Sequence, residues 1–248
     1  YVFDIVGISE DVDFKGKTTG YAVASQLFSE PQMNTNLHVN HFTFNDGPLG
    51  DMDIYGFWDN TTQGIFLDAD MNENDLGYTN VTGFVYPLVP KSGLDLTILA
   101  NGTNINFLEN YMEVIAAQVR GRAYGKARLY GQFSGLNLEG DLLADAALRI
   151  DILNAHFALK DSLHFDPHGI AFKDIHLTDL EGHTGRLKGR LNYTHFQNLS
   201  YHFDIRSNNL LVMNTKETPD LPFYGKIYAT GNTLLNGDQV GLNVEAAV

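Results

Sequence analysis

The sequence predicts an all-β protein: an elongated, curved, mostly antiparallel sheet with an apolar concave face and one short amphipathic helix. Three observations carry this. Apolar and polar residues alternate with a period of two through most of the chain, which puts them on opposite faces of strands and on no single side of a helix. One alternating run, Leu136 to Ile152, would reach roughly 55 Å at about 3.3 Å per residue, whereas most strands stop near 5–6 residues. The run before it, from Gln118, fits it as a hairpin around Phe133-Ser134-Gly135.

Taken in order, Tyr1 to Gly16 is weakly patterned, and Gly20 to Leu27 reads as a strand. Asn34 to Asn45 alternates through Leu37 and Val39, then changes phase to Phe42 and Phe44, which predicts a bulge near His41. Gly47-Pro48 reads as a turn. Met52 to Trp58, Ile65 to Met71, Val81 to Val89 (closed by Pro90) and Leu94 to Ala100 read as four more strands. The helix is expected next. Asn106 with Glu109 resembles a capping box, and Phe107, Leu108, Tyr111, Met112 and Ile115 share one helical face. Such a helix would cap an end of the apolar surface.

The central hairpin follows. Val119, Gly121, Ala123, Gly125, Ala127 and Leu129 share one parity, against Arg120, Arg122, Lys126 and Arg128 on the other. In the second run Leu136, Leu138, Leu142, Ala144, Ala146, Leu148, Ile150 and Ile152 face away from Glu139, Asp141 and Asp145. Setting Arg128 opposite Glu139 also sets Lys126 opposite Asp141, Arg122 opposite Asp145, Leu129 opposite Leu138 and Val119 opposite Leu148. Opposite charges paired this way contribute roughly 0.2–1 kcal/mol each.

Beyond the hairpin, Asn154 to Phe165 reads as a strand, Asp166 to Gly169 as a turn, and Ile170–Asp174 and Ile175–Leu180 as two short strands. Gly185 to Tyr193, Leu199 to Ile205 and Leu210 to Met213 follow, and Thr218-Pro219-Asp220 breaks the pattern. Gly125 to Gly131 recurs as Gly225-Lys226-Ile227-Tyr228-Ala229-Thr230-Gly231, and Leu136 to Glu139 as Leu242 to Glu245. The spacing of about a hundred residues is a superstructural unit, not a short solenoid rung.

Composition excludes several functions. Lys and Arg number 16 against 30 Asp and Glu, a net charge of −14. An acidic surface repels phosphate backbones and anionic headgroups, so nucleic-acid binding is not expected. There is no cysteine, so no disulfide, thiolate metal site or cysteine nucleophile. No apolar run approaches the roughly 20 residues of a spanning helix. The sequence starts and stops within its pattern, as an excised segment of a longer protein would.

No catalytic or metal-binding residue is expected, and no cofactor. Asp68-Ala69-Asp70-Met71-Asn72 starts like a calcium loop, but Glu73 stands where Gly belongs and Thr79 where Glu belongs, so a polar loop is the simpler reading. His164, Asp166 and His168 are close in sequence without metal-ligand spacing. The pairs Asp51/Asp53 and Asp68/Asp70 read as the wet side of strands rather than acid–base carboxylates. Ser25, Ser134 and Ser200 lack a nucleophile elbow. The basic stripe with Tyr124 and Tyr130 reads as a wet face matched to the acidic strand beside it. The sequons at Asn60, Asn80, Asn101, Asn192 and Asn198 would matter only in a eukaryotic secreted protein. A carbohydrate-active enzyme would need aromatics and carboxylates clustered on one wet face, and none is evident along the strands.

Asn104 to Met112, Gly121 to Tyr130, Leu138 to Ala146 and above all Leu221-Pro222-Phe223-Tyr224-Gly225-Lys226-Ile227-Tyr228-Ala229-Thr230-Gly231 resemble the TamB family, the large subunit of the translocation and assembly module, in its Bacteroidetes form. The resemblance covers roughly Asp53 to the end. It implies a half-closed β-groove, taco-like in section, in a periplasmic protein anchored in the inner membrane of a Gram-negative bacterium. It implies a TamA-like outer-membrane barrel partner and outer-membrane protein clients, and related groove proteins carry phospholipid between membranes. The segments expected are a lead with strands over 1–50, a groove over 51–103, the helix over 104–117, and a groove with long hairpins over 118–248.

The function expected is non-enzymatic: sheltering phospholipid acyl chains, assisting outer-membrane protein assembly, or both. The expected lining is Val119, Ala123, Ala127, Leu129, Leu136, Leu138, Leu142, Ala144, Ala146, Leu148, Ile150, Ile152, Leu187, Leu191 and Ile227. Small residues such as Gly121 and Ala123 would leave room for an acyl chain. The alternative is a β-strand-binding module for client proteins or the barrel partner, without lipid transport. An ordinary closed core would produce the same stripe.

Overall fold

The computed structural model describes residues 13–26, 30–88, 92–109, 118–195, 197–217, 224–238 and 241–247. The protein is all-β. The strands are β1 Phe14–Ser25, β2 Gln32–Phe44, β3 Gly47–Asp59, β4 Gly64–Asn72, β5 Tyr78–Tyr86, β6 Gly93–Asn104, β7 Gln118–Gln132, β8 Gly135–Ile150, β9 Ala155–Asp166, β10 Gly169–Asp179, β11 Thr184–Thr194, β12 Gln197–Thr215, β13 Gly225–Asp238 and β14 Leu242–Ala247. They follow one another in sheet order from β1 to β14. Where the connection is fully described, as between β2 and β3, β3 and β4, β7 and β8, and β9 and β10, a short turn joins neighbours, as a period-two pattern broken by polar turn residues requires.

By contacts the chain forms two compact units. One comprises 1–107 with 124–140, the other 108–123 with 141–248. The expected boundary at 50/51 lies inside β3.

The predicted hairpin forms with the predicted register. A Cβ on Gly121 would sit 2.7 Å from Ala146 Cα, and one on Gly140 would sit 2.8 Å from Ala127 Cα. Both place residues summing to the same number opposite each other, and Arg128 Nη1 reaches Glu139 Oε1 at 3.4 Å. Strand β8 is 16 residues long and unbroken. It ends at Ile150, because Asp151–Leu153 is a 3-10 turn closed by Asn154 in the left-handed conformation. Ile152 therefore follows the end of β8.

Bulges explain the phase changes. His41 has φ 52°, and the β2–β3 register shifts between Val39 and Phe42, as expected. The turn after β2 is not Gly47-Pro48 but Asn45-Asp46, both with positive φ, the conformation of a tight hairpin turn that Asn and Asp tolerate. The two short strands expected at 170–180 are one strand bulged at Asp174 (φ 70°). Likewise 199–205 and 210–213 belong to one 19-residue strand, β12, with register shifts after Ser207 and Leu211. The extra residue restores the inward direction: Ile170 and Phe172 face the apolar side before the β10 bulge, Ile175 and Leu177 after it.

The expected helix begins differently. Asn106–Leu108 is a 3-10 turn, and its cap is the Asn104 side chain, which accepts from the Asn106 backbone N–H at 3.0 Å. Residues 110–117 lie outside the described residues, as does the break at 218–220.

Gly140 has φ 143°, and an added Cβ would lie 2.4 Å from the Lys126 carbonyl; Gly182 has φ 86° with open space around it. Gly182→Ala should therefore cost about 1 kcal/mol of backbone strain alone. Gly140→Ala should cost more, about 2 kcal/mol or above, by thermal or urea unfolding. Equal costs would contradict this packing of β7 on β8.

Candidate functional site

The site that the sequence points to is the apolar sheet face, and each unit builds its own. In the first unit the face carries Ile54, Val81, Leu96, Ala127, Leu129, Leu136 and Leu138. Ala127 and Leu96 are buried, while Leu129, Leu136 and Leu138 are half-buried. One end is closed. Val39, Phe42, Met52, Ala69 and Met71 form a buried cluster there, with Phe14, Phe44 and Leu49 against it. Phe107 meets Phe44 edge-on at 5.1 Å, and its backbone N lies 2.6 Å from where a Gly47 Cβ would be. The start of the segment expected to cap the face thus does so. Toward the β3–β4 turn, Ile65, Leu67, Val85 and Leu94 are only half-buried. Strands β3 and β6, three apart in order, touch, so the sheet of this unit curls on itself.

In the second unit Ala144, Leu159, Ile175, Leu177, Leu187, Leu191, Tyr201 and Phe203 form one buried cluster. Ala146, Leu148, Leu163, Ile170, Phe172 and Leu235 pack around it half-buried. Strands β9 and β12 touch across it, so this face is a core in its middle. Its margins, including Leu142, Leu148 and Ile150, stay half-open. Val119 and Ala123 are buried. Gly121 does not leave the room expected of it, because the Asp145–Ala146 backbone occupies that space. Ile227 is 48% exposed, and so is unsheltered where the sequence reading put it in the lining.

A clamp holds one end of this second face. The Asp179 side chain is fully buried. It accepts from the backbone N–H groups of Leu211 (2.7 Å), Glu181 (2.8 Å) and His183 (2.9 Å), and contacts His183 Nδ1 at 3.1 Å. It ties the β10–β11 turn to β12 where Leu210, 1% exposed, enters the core. Burial pushes its carboxyl up, but these N–H donors together outweigh burial and hold it below its ordinary value.

The wet face is a lattice of charge. Arg128 is held bidentately by Asp95 on β6 (2.7 and 2.8 Å) as well as by Glu139, so the basic stripe has acids on both sides at this point. The guanidinium bond holds the Asp95 carboxyl below its ordinary value. Asp145, which stands opposite Arg122 in this register, pairs with Lys160 on β9 at 2.7 Å. His164 contacts Asp141 at 2.8 Å and His38 contacts Asp53 at 2.7 Å. Asn80 donates to both Asp68 and Asp70 at 2.8 Å, and Tyr78 donates to Asp70. That last bond, then burial, push the Tyr78 phenol up to about 12.

One arrangement escaped the sequence reading. Tyr55, Phe57, Phe66, Phe84 and Tyr86 form a ladder of rings with successive centroids 5.9, 5.1, 5.6 and 6.1 Å apart. Cross-strand pairing puts it on the same face as Asp53, Asp68 and Asp70. Aromatics and carboxylates therefore do cluster on one wet face. The signal was in the parities of β3, β4 and β5, but only their register aligns the rings.

No family model, no curated protein and no solved structure matches this chain. Among the described residues no group of three or more His, Asp or Glu side chains is placed to hold a metal ion, and no helix is long and apolar enough to cross a membrane.

The Asp179 clamp yields a stability prediction. Asp179→Ala leaves three backbone N–H groups without their acceptor and should cost about 2–4 kcal/mol in urea unfolding. Because the folded carboxyl titrates below its ordinary 3.8, its contribution is complete above that pH and is lost as pH falls through the lower folded value. Asp179→Asn should flatten this acid limb of the stability profile. An unchanged limb would assign it to other carboxylates.

Proposed function

We propose that this chain is a periplasmic, non-enzymatic segment of a TamB-like bridge between the inner and outer membranes of a Gram-negative bacterium, and that its apolar sheet faces shelter phospholipid acyl chains. The observation that carries this reading is the half-buried aliphatic lane of β8. Leu136 and Leu138 lie on it in the first unit, Leu142, Leu148 and Ile150 in the second. A closed core would bury these side chains, and a solvent face would not be built from them. Each methylene of an acyl chain brought against such a lane contributes about 0.8 kcal/mol, and needs no polar partner. The charged lattice on the opposite face, with a net charge of −14, disfavours nucleic acid and keeps the segment soluble.

A second reading has its own support. Strand β1 ends the sheet order, and apart from Phe14 its residues are exposed, Tyr21 and Val23 among them. Thr18 to Ser25 carries no charge and no proline, the usual means of blunting an edge. Such an edge suits a strand of an outer-membrane protein client or of a TamA-like barrel.

Lipid extraction and mass spectrometry of the purified protein test the first reading. Phospholipid should co-purify with the wild type. Leu142→Asp and Ile150→Asp should remain folded by circular dichroism and reduce the bound lipid at least severalfold. Unfolding of both variants would assign these residues to a core. Lipid-free wild type, with photocrosslinks from β1 to client strands, would favour the second reading.

A further inference from the structure

The ladder of rings on β3, β4 and β5 lies on a face that works against its own stability. Asp53 stands directly opposite Asp70, and Asp68 and Asp70 project on the same side of β4 two residues apart. Like charges directly opposite across a sheet repel. His38 on Asp53, and Asn80 with Tyr78 on the β4 pair, relieve this in part, yet the Asp53 side chain is still 76% exposed. Between Lys17 and Lys91 there are nine Asp and Glu and no Lys or Arg, and Arg128, two strands from the ladder, is already held by Asp95, which stands opposite Phe84. Tyr55, next to these carboxylates, is 46% exposed, and its ring neighbours Phe57, Phe66 and Phe84 are half-buried.

Ring faces attract cations, and a carboxylate beside the ring completes a site for an ammonium or guanidinium group. A row of rings along one margin with carboxylates along the next suits a chain that alternates apolar and cationic side chains. We propose that this face docks a basic polypeptide segment, with Lys or Arg over Tyr55 and the Asp53, Asp68 and Asp70 carboxylates, and apolar side chains on the Phe57–Phe66–Phe84 rings. An anionic bilayer is disfavoured by the same charges. The proposal does not depend on the acyl-chain reading, since the ladder is on the opposite face of the same strands.

The test is fluorescence anisotropy with the full chain and a labelled peptide of alternating Lys and Val, against a Glu–Val peptide of equal length. The Lys–Val peptide should bind at low salt and weaken as salt rises, and the Glu–Val peptide should not bind. Tyr55→Ala, which leaves the charge unchanged, and Asp53→Asn/Asp68→Asn, which leaves the volume unchanged, should each weaken binding about tenfold. Glu217→Gln, a net-charge control in the other unit, should leave it unaltered. Equal affinity for all variants would overturn the proposal, and weakening by Glu217→Gln together with no effect of Tyr55→Ala would reduce the interaction to bulk charge and overturn it too. So would Glu–Val binding, or capture of a neutral soluble glucan or of phosphatidylglycerol vesicles in place of the Lys–Val peptide.

Discussion

An antiparallel sheet whose strands are apolar on one side only must find cover for that side, and the rest of this structure follows from that constraint. No helix layer is laid over the sheet among the described residues. Each unit instead curls its own strands until members three apart in order touch, β3 with β6 in one and β9 with β12 in the other. Curling covers the middle of a face better than its margins. That is why Ile175 and Leu210 are 1% exposed while Leu138, Leu142 and Leu148 on β8 remain half-open.

Strong curl in long strands needs local corrections, and the chain supplies them at defined places. A bulge at His41, at Asp174 and after Ser207 inserts one residue where the inward direction would otherwise be lost. Gly121 and Gly140 let β7 and β8 approach where any Cβ would strike the facing backbone. The ends are held by particular contacts: Phe107 on Phe44 in the first unit, the Asp179 carboxylate on three backbone N–H groups in the second.

The opposite face follows other rules. It is wet, and its charges are placed so that Arg128 is shared by Asp95 and Glu139, and Asp145 is taken by Lys160. Exposed pairs of this kind contribute little to stability; they set register and exclude wrong pairings. Where the first unit departs from the scheme, on β3 to β5, it gathers rings and carboxylates on strands that themselves carry no Lys or Arg.

The all-β class, the long strand β8 with its apolar residues, the Arg128–Glu139 register and the bulge near His41 were legible in the order of residues alone. A period of two is a local property, and cross-strand charge can be read once a hairpin is assumed. The rest emerged on folding. Whether an inward aliphatic is core or margin depends on strands far away in sequence, so Leu187 and Leu142 share a pattern and not an environment. Bulged strands such as β10 and β12 read as two pieces each, since a parity break looks the same as a strand end. Alignment of Tyr55, Phe57, Phe66, Phe84 and Tyr86 arises from the registers of three strands at once, which no single stretch of residues encodes.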